Sequence, residues 1–240
     1  MNKKMYQAAV LAALGLASVT AAQAVSYNGD LLAGFTTASG TDLVYDLGSV
    51  ANVLGNNGGA GWDLTAALTA AGLDSSLSTV QWGVVGSGTT VNHSPIVWAT
   101  SLTGPSPINS GNFGSIRSAV GSLMANDFTT AGLGNYATPG YGAAFSWYSQ
   151  TAQTVANGLS GTAFAALDLN PNTTGLGMIS LYDQNSSDSS VTQYGTFALS
   201  QNAGIITLTE VPEPSVNALM AVGGGVLMLV GRNKFGRKQS

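Results

Sequence analysis

The chain has 240 residues, of which 45% are hydrophobic and 8% charged, and it contains no cysteine; a typical globular protein carries about 25% charged residues. Between residues 25 and 210 the sole basic side chain is Arg117, set against Asp30, Asp42, Asp46, Asp63, Asp74, Asp127, Asp168, Asp183, Asp188 and Glu210. Such an acidic body excludes nucleic acid as a partner, since that binding needs Lys and Arg to neutralise phosphates, and the missing cysteine excludes disulfides, thiolate zinc sites and thiol catalysis.

Residues 1–24 read as a secretory signal peptide. Lys3 and Lys4 form a positive start, Ala8 to Val19 an apolar stretch, and Ala22-Gln23-Ala24 a small-x-small cleavage site. The mature chain is then expected to begin at Val25. The body, residues 25–210, suits one domain with a sizeable core.

At its start, Asn28 to Thr37 and Thr41 to Gly48 form two extended pieces around an Ala38-Ser39-Gly40 turn. In the second, Leu43, Tyr45 and Leu47 alternate with Asp42, Val44 and Asp46, so the pair reads as a β-hairpin. A glycine-rich loop follows at Asn56 to Gly61. Asp63 is placed to cap a short helix over Leu64 to Ala71, which Gly72 ends. Thr79 to Gly86 and Ile96 to Leu102 are strands rich in β-branched and aromatic residues. Phe113 to Phe128 places Phe113, Ile116, Val120, Leu123 and Met124 at helical spacing, which predicts an amphipathic helix. Thr129 to Gly142 reads as a loop. Ala163 to Leu169, Met178 to Tyr182, Gln193 to Leu199 and Ile205 to Thr209 are short strands separated by turn residues. The expected fold is therefore mainly β: an antiparallel, sandwich-like ectodomain with a few short helices.

Chemistry is sparse in this body. His93 is the single histidine, in a Ser/Thr/Gly loop, and no G-x-S-x-G elbow is present. The glycine loop before Gly61 lacks a phosphate-cradling motif. Asp42 and Asp46, four apart on a strand, share one face; glycoside hydrolysis uses paired carboxylates, but a solvated strand face is the reading preferred. Asp168-Leu169-Asn170-Pro171-Asn172 and Asp183 to Asp188 are oxygen-rich turns without the complete calcium-loop pattern. Asn92, Asn172 and Asn185 each begin an N-x-[ST] acceptor pattern. No catalytic residue, metal ligand or cofactor is assigned. Trp62, Trp82, Trp98 and Trp147 would stack on sugar rings if several were exposed together, so an exported carbohydrate-binding module or hydrolase is the alternative function.

The last stretch is the most informative. Val211 to Ser240 comprises Pro212-Glu213-Pro214-Ser215, an apolar run from Val216 to Val230 broken by Gly223, Gly224 and Gly225, and a basic tail with Arg232, Lys234, Arg237 and Lys238. An apolar run with a basic flank is the pattern of a membrane segment with a cytoplasmic end. Fifteen helical residues reach about 22 Å, short of the ~30 Å hydrocarbon core, which suits a temporary hold better than a permanent anchor.

This order, with Pro212-Glu213-Pro214 intact and an N-terminal signal, resembles the PEP-CTERM proteins of Gram-negative bacteria. The resemblance covers about thirty C-terminal residues. It implies export, retention in the inner membrane through a transmembrane sorting helix, and processing near Pro212-Glu213-Pro214 by an exosortase, a membrane cysteine protease-transpeptidase. The body would then pass to the cell surface or an exopolysaccharide matrix, with a structural or adhesive role in a biofilm.

Overall fold

The computed structural model describes residues 29–37, 39–55, 60–89, 94–102, 113–124, 135–151, 172–186 and 191–212. The expected signal peptide with Ala22 and Ala24, the expected strand Ala163 to Leu169, and the expected sorting segment beyond Pro212 lie outside the described residues. Val25–Pro212 constitutes one structural unit.

The elements run β1 (Asp30–Thr36), β2 (Leu43–Ser49), α1 (Val50–Gly55), β3 (Gly61–Asp63), α2 (Thr65–Ala70), a 3-10 turn (Asp74–Ser76), β4 (Gln81–Thr89), β5 (Pro95–Ser101) and α3 (Phe113–Met124). They continue with β6 (Tyr136–Ala137), α4 (Trp147–Thr151), β7 (Thr173–Thr174), β8 (Gly177–Asn185), β9 (Val191–Asn202) and β10 (Ile205–Pro212). All the strands join one antiparallel sheet in the order β3-β10-β9-β8-β5-β4-β1-β2-β6, with β7 attached to β4. The mainly β, antiparallel class expected from the sequence is present. Its form differs from two stacked sheets, because a single sheet curls round on itself. The right-handed twist of each strand accumulates across the sheet and supplies the curl. As a result α1 and α2 each touch both β2 and β10, strands far apart in the sheet order.

Alternation sorts each strand into two layers. The concave face carries Leu31, Phe35, Leu43, Trp82, Trp98, Leu181, Phe197 and Leu208, and it closes over Val50 and Val53 of α1, Leu68 of α2 and Leu64 just before α2. The opposite face of β1, β2, β4 and β5 carries Leu32, Val44, Val85, Val97 and Ala99, covered by Phe113, Ile116, Val120 and Leu123 of α3 and by Trp147. The periodicity that predicted α3 thus marks its buried side, and Met124 packs at the edge of that layer.

Local chemistry fixes several joints. Phe35 faces Leu43 across the β1–β2 hairpin. Asp63 Oδ1 accepts the Thr65 N–H at 2.9 Å at the start of α2. At its end Gly72 has φ +71°; Leu73 N–H donates to Leu68 O and Gly72 N–H to Thr69 O, a Schellman closure. The β9–β10 turn places Ala203 at φ 49° and Gly204 at φ 84°, with Asn202 opposite Ile205. This is a type I′ hairpin with alanine where Asn is preferred.

Candidate functional site

Of the expected sorting motif, Pro212 is the one residue within the described chain. It is the last residue of β10 and stands opposite Gly195 of β9. Glu213, Pro214, Arg232, Lys234, Arg237 and Lys238 lie outside the described residues, as do His93, Asn92 and Asp168. Pro212 thus ends a strand that pairs with β9 along its length and with β3 over Thr207, Leu208 and Thr209.

The expected solvated strand face fails at Asp42, which is buried against α4, whereas Asp46 stays half-exposed. Asp42 is 0% exposed. Its Oδ2 accepts the Tyr148 N–H at 2.7 Å, inside the first turn of α4, and Ser146 Oγ accepts the Ser149 N–H at 3.2 Å. Asp42, just before β2, thus caps a distant helix too short to stand alone. Burial pushes its carboxyl above the ordinary carboxylate range, against hydrogen bonds from the Thr36 side chain, the Tyr148 backbone and the Ser146 side chain. Asp46 is half-buried; burial raises it too, opposed by the bond from Gly48 N–H to its Oδ1 at 2.8 Å. The two carboxylates serve different joints.

Three of the four tryptophans are interior. Trp82, Trp98 and Trp147 are all 0% exposed, and Trp62 is half-buried against Phe197. No sugar ring reaches the buried three. Trp82 Nε1–H donates to Gly175 O at 2.7 Å. Trp147 Nε1–H donates to Asn172 Oδ1 at 2.7 Å, and the Asn172 amide donates to Thr151 Oγ1 at 3.3 Å. With both ends of its amide engaged and only 8% of its surface exposed, Asn172 is closed to glycosylation in the folded chain.

The oxygen-rich stretch after Asp183 is a strand for its first half: Asp183, Gln184 and Asn185 belong to β8, with Asp183 and Gln184 buried. A turn geometry for cation binding is absent at those residues. Among the described residues no group of three or more His, Cys, Asp or Glu side chains is gathered for a metal.

One acidic group was not singled out by the sequence. Glu210 lies in β10 and is 3% exposed. Burial raises its carboxyl, while a backbone bond involving Ala60 opposes the rise. Its place in the strand gives the signal that was available: Ile206, Leu208 and Glu210 are two apart and share the inward face. Glu210 ends that row next to Gly195, where an added Cβ would lie 3.1 Å from Glu210 Oε1.

Each buried polar side chain with an assigned bond satisfies a backbone group, a helix start or an indole, which is the condition for burying it cheaply. No family model, curated protein or solved structure matches the chain.

Proposed function

We propose that this is an exported protein sorted by an exosortase, held briefly in the inner membrane and then displayed at the cell surface or in an extracellular matrix, where its role is structural or adhesive. The observation that carries the reading is the uninterrupted passage from β10 through Pro212 into Glu213-Pro214-Ser215, an apolar run and a basic tail. An exosortase is the processing partner; an exopolysaccharide is the matrix partner. The ectodomain extends from Val25, beyond a signal peptide cut after Ala24, and the Val216 to Val230 run is the transmembrane sorting helix. The interior use of the carboxylates and tryptophans supports a non-enzymatic body. In this reading the Ser, Thr, Asn and Gly-rich exterior, low in charge, makes the contacts with the matrix.

The test is replacement of Pro212-Glu213-Pro214 by alanines in the native host, followed by fractionation. The expected result is accumulation of an unprocessed chain in the inner membrane. Unchanged release of a shortened protein would defeat the sorting assignment.

A further inference from the structure

The outer face of the sheet is covered in one part and open in another. Over β1, β2, β4 and β5 it is packed under α3 and Trp147, and no described residue of β8, β9 or β10 belongs to that packed layer. Register carries the same outer face on across the sheet. Ser101 of β5 stands opposite Ser180 of β8, Ser180 opposite Thr196 of β9, and Thr196 opposite Val211 of β10. In the next outer row Met178 stands opposite Ala198, and Ala198 opposite Thr209. The residues between them in sequence, Ile179, Phe197 and Leu208, point the other way into the core.

This open face is apolar without being charged. Met178 is 65% exposed, Ile205 52% and Val211 42%, and by alternation all three stand on it. Leu102 and Leu176, exposed at the adjoining ends of β5 and β8, lie at its margin. Large apolar side chains scattered singly need no explanation, but several on one open face mark an interaction surface. The charged residues of these three strands, Asp183 and Glu210, stand in the rows of Trp98 and Leu208 on the inner face. Asp63 of β3, opposite Thr207, marks the rim.

Charge selects the occupant. The body, residues 25–210, carries ten acidic side chains and one basic one, so two copies repel wherever their carboxylates come together. On the face of β8, β9 and β10 that repulsion is least. A cationic partner is drawn to the acidic remainder of the body instead, and a sugar finds no indole platform here, since three tryptophans are buried and Trp62 packs on Phe197. We infer that two copies of the chain meet through this face, sheet against sheet, in an isologous pair. Three strands about 4.8 Å apart and about eight residues long, at ~3.3 Å per residue, present roughly 400 Å² in projection. That is about half of what each partner buries in a stable complex, and the outward curve of the sheet reduces it. The pair is therefore weak, and forms where copies are crowded together.

The chain has no cysteine of its own, so one introduced by substitution reports a single position. The experiment uses the full chain, purified in detergent, as Ala198→Cys on the open face and as Ser118→Cys on the exposed side of α3. A bis-maleimide with a spacer longer than the ~10 Å between packed sheets links the cysteines of copies that meet. Ala198→Cys should be linked into dimers several-fold more than Ser118→Cys, and more so as concentration rises. Adding Met178→Glu or Ile205→Glu, both at positions open to solvent, should lower the linkage about tenfold, because the contact would bury an unpaired charge. Unchanged unfolding curves show that these variants are folded. Equal linkage of the two cysteines, the result of association through the apolar C-terminal run alone, would overturn the inference. So would linkage at Ala198→Cys that neither glutamate lowers. A cysteine at 198 that resists a soluble maleimide without any dimer would mean that another part of the same chain covers the face. One shielded only by added polysaccharide from the host would mean that a glycan does. Either result replaces the second copy as the occupant.

Discussion

Substituting Gly34 by alanine tests the packing that covers the outer face of the sheet. Gly34 sits in β1, and the Trp147 indole lies directly on it: a Cβ built there falls 1.7 Å from Trp147 Cδ2 and Cε3. No rotamer adjustment of an alanine relieves that overlap, so the indole must leave its site or the strand must shift. Expelling a fully buried aromatic costs about 3–5 kcal/mol, as in large-to-small replacements, whereas an overpacked core that adjusts loses about 1–3 kcal/mol. Alanine recovers roughly 0.5–1 kcal/mol through its lower backbone entropy in a strand. The net expectation is a loss of about 2–4 kcal/mol, which for a body of this size lowers the melting temperature by roughly 5–15 °C. Thermal and urea unfolding followed by tryptophan fluorescence reads it directly. The companion variant Trp147→Ala removes the obstacle, so adding Gly34→Ala to it should cost less than about 0.5 kcal/mol, a coupling that only contacting residues show. Equal or higher stability of the single Gly34→Ala variant would refute the packing argument.

Three further outcomes follow from other joints. Asp42, Asp46 and Glu210 have folded carboxyls raised by burial, so the folded state binds protons more readily than the unfolded one; stability should rise as pH falls from neutral through the raised values and level off below the ordinary carboxylate range near about 4. Asp63 is lowered by its bonds to the Thr65 side chain and backbone and works weakly in the opposite sense from a fully exposed position; urea midpoints at neutral and acid pH decide the sum, and Asp42→Asn, which keeps an acceptor for Tyr148 N–H, should flatten the slope. Ala203→Asn replaces alanine at the left-handed first turn position of the β9–β10 hairpin and should raise stability by up to about 1 kcal/mol, measured by the same unfolding curves. Asn172→Ala strands the buried Trp147 N–H and should cost about 1–3 kcal/mol; peptide mapping of protein from the native host should find Asn172 itself unmodified.

The elements that could be read from the sequence are those whose signal is local. The β1–β2 hairpin shows as alternation about a turn, α3 as apolar residues at helical spacing, and α2 as an aspartate before and a glycine after. The elements that could not be read depend on distant partners. Helix α1 is a single six-residue stretch that includes Val50, Asn52, Val53 and Gly55, all poor helix formers, and it takes its form from burial between the sheet ends. Strand β3 is only Gly61–Asp63 and exists as a strand through its pairing with β10. Helix α4 begins where Asp42 caps it across 106 residues of chain. Parity along the strand placed Asp42 and Asp46 on one face correctly, but parity does not say whether that face meets water or a helix. The same limit applies to Trp82 and Trp98: apolar strand neighbours suggested burial, and the depth of it comes from the curl of the sheet.

The curl also explains why the C-terminal strand carries so much of the fold. In a sheet with this order, β10 lies between β9, its neighbour in sequence, and β3, formed far earlier in the chain. The early elements β3 and α2 therefore have no complete partner until the last strand arrives, since Leu64 N–H and the Thr65 hydroxyl both bond to Ile206. Contacts of such long sequence separation close late, because loop entropy must be overcome before they form. A chain ending at Pro212 would keep that closure, whereas one ending inside β10 would lose the backbone partners of β3 and the wall that buries Leu64 and Leu68.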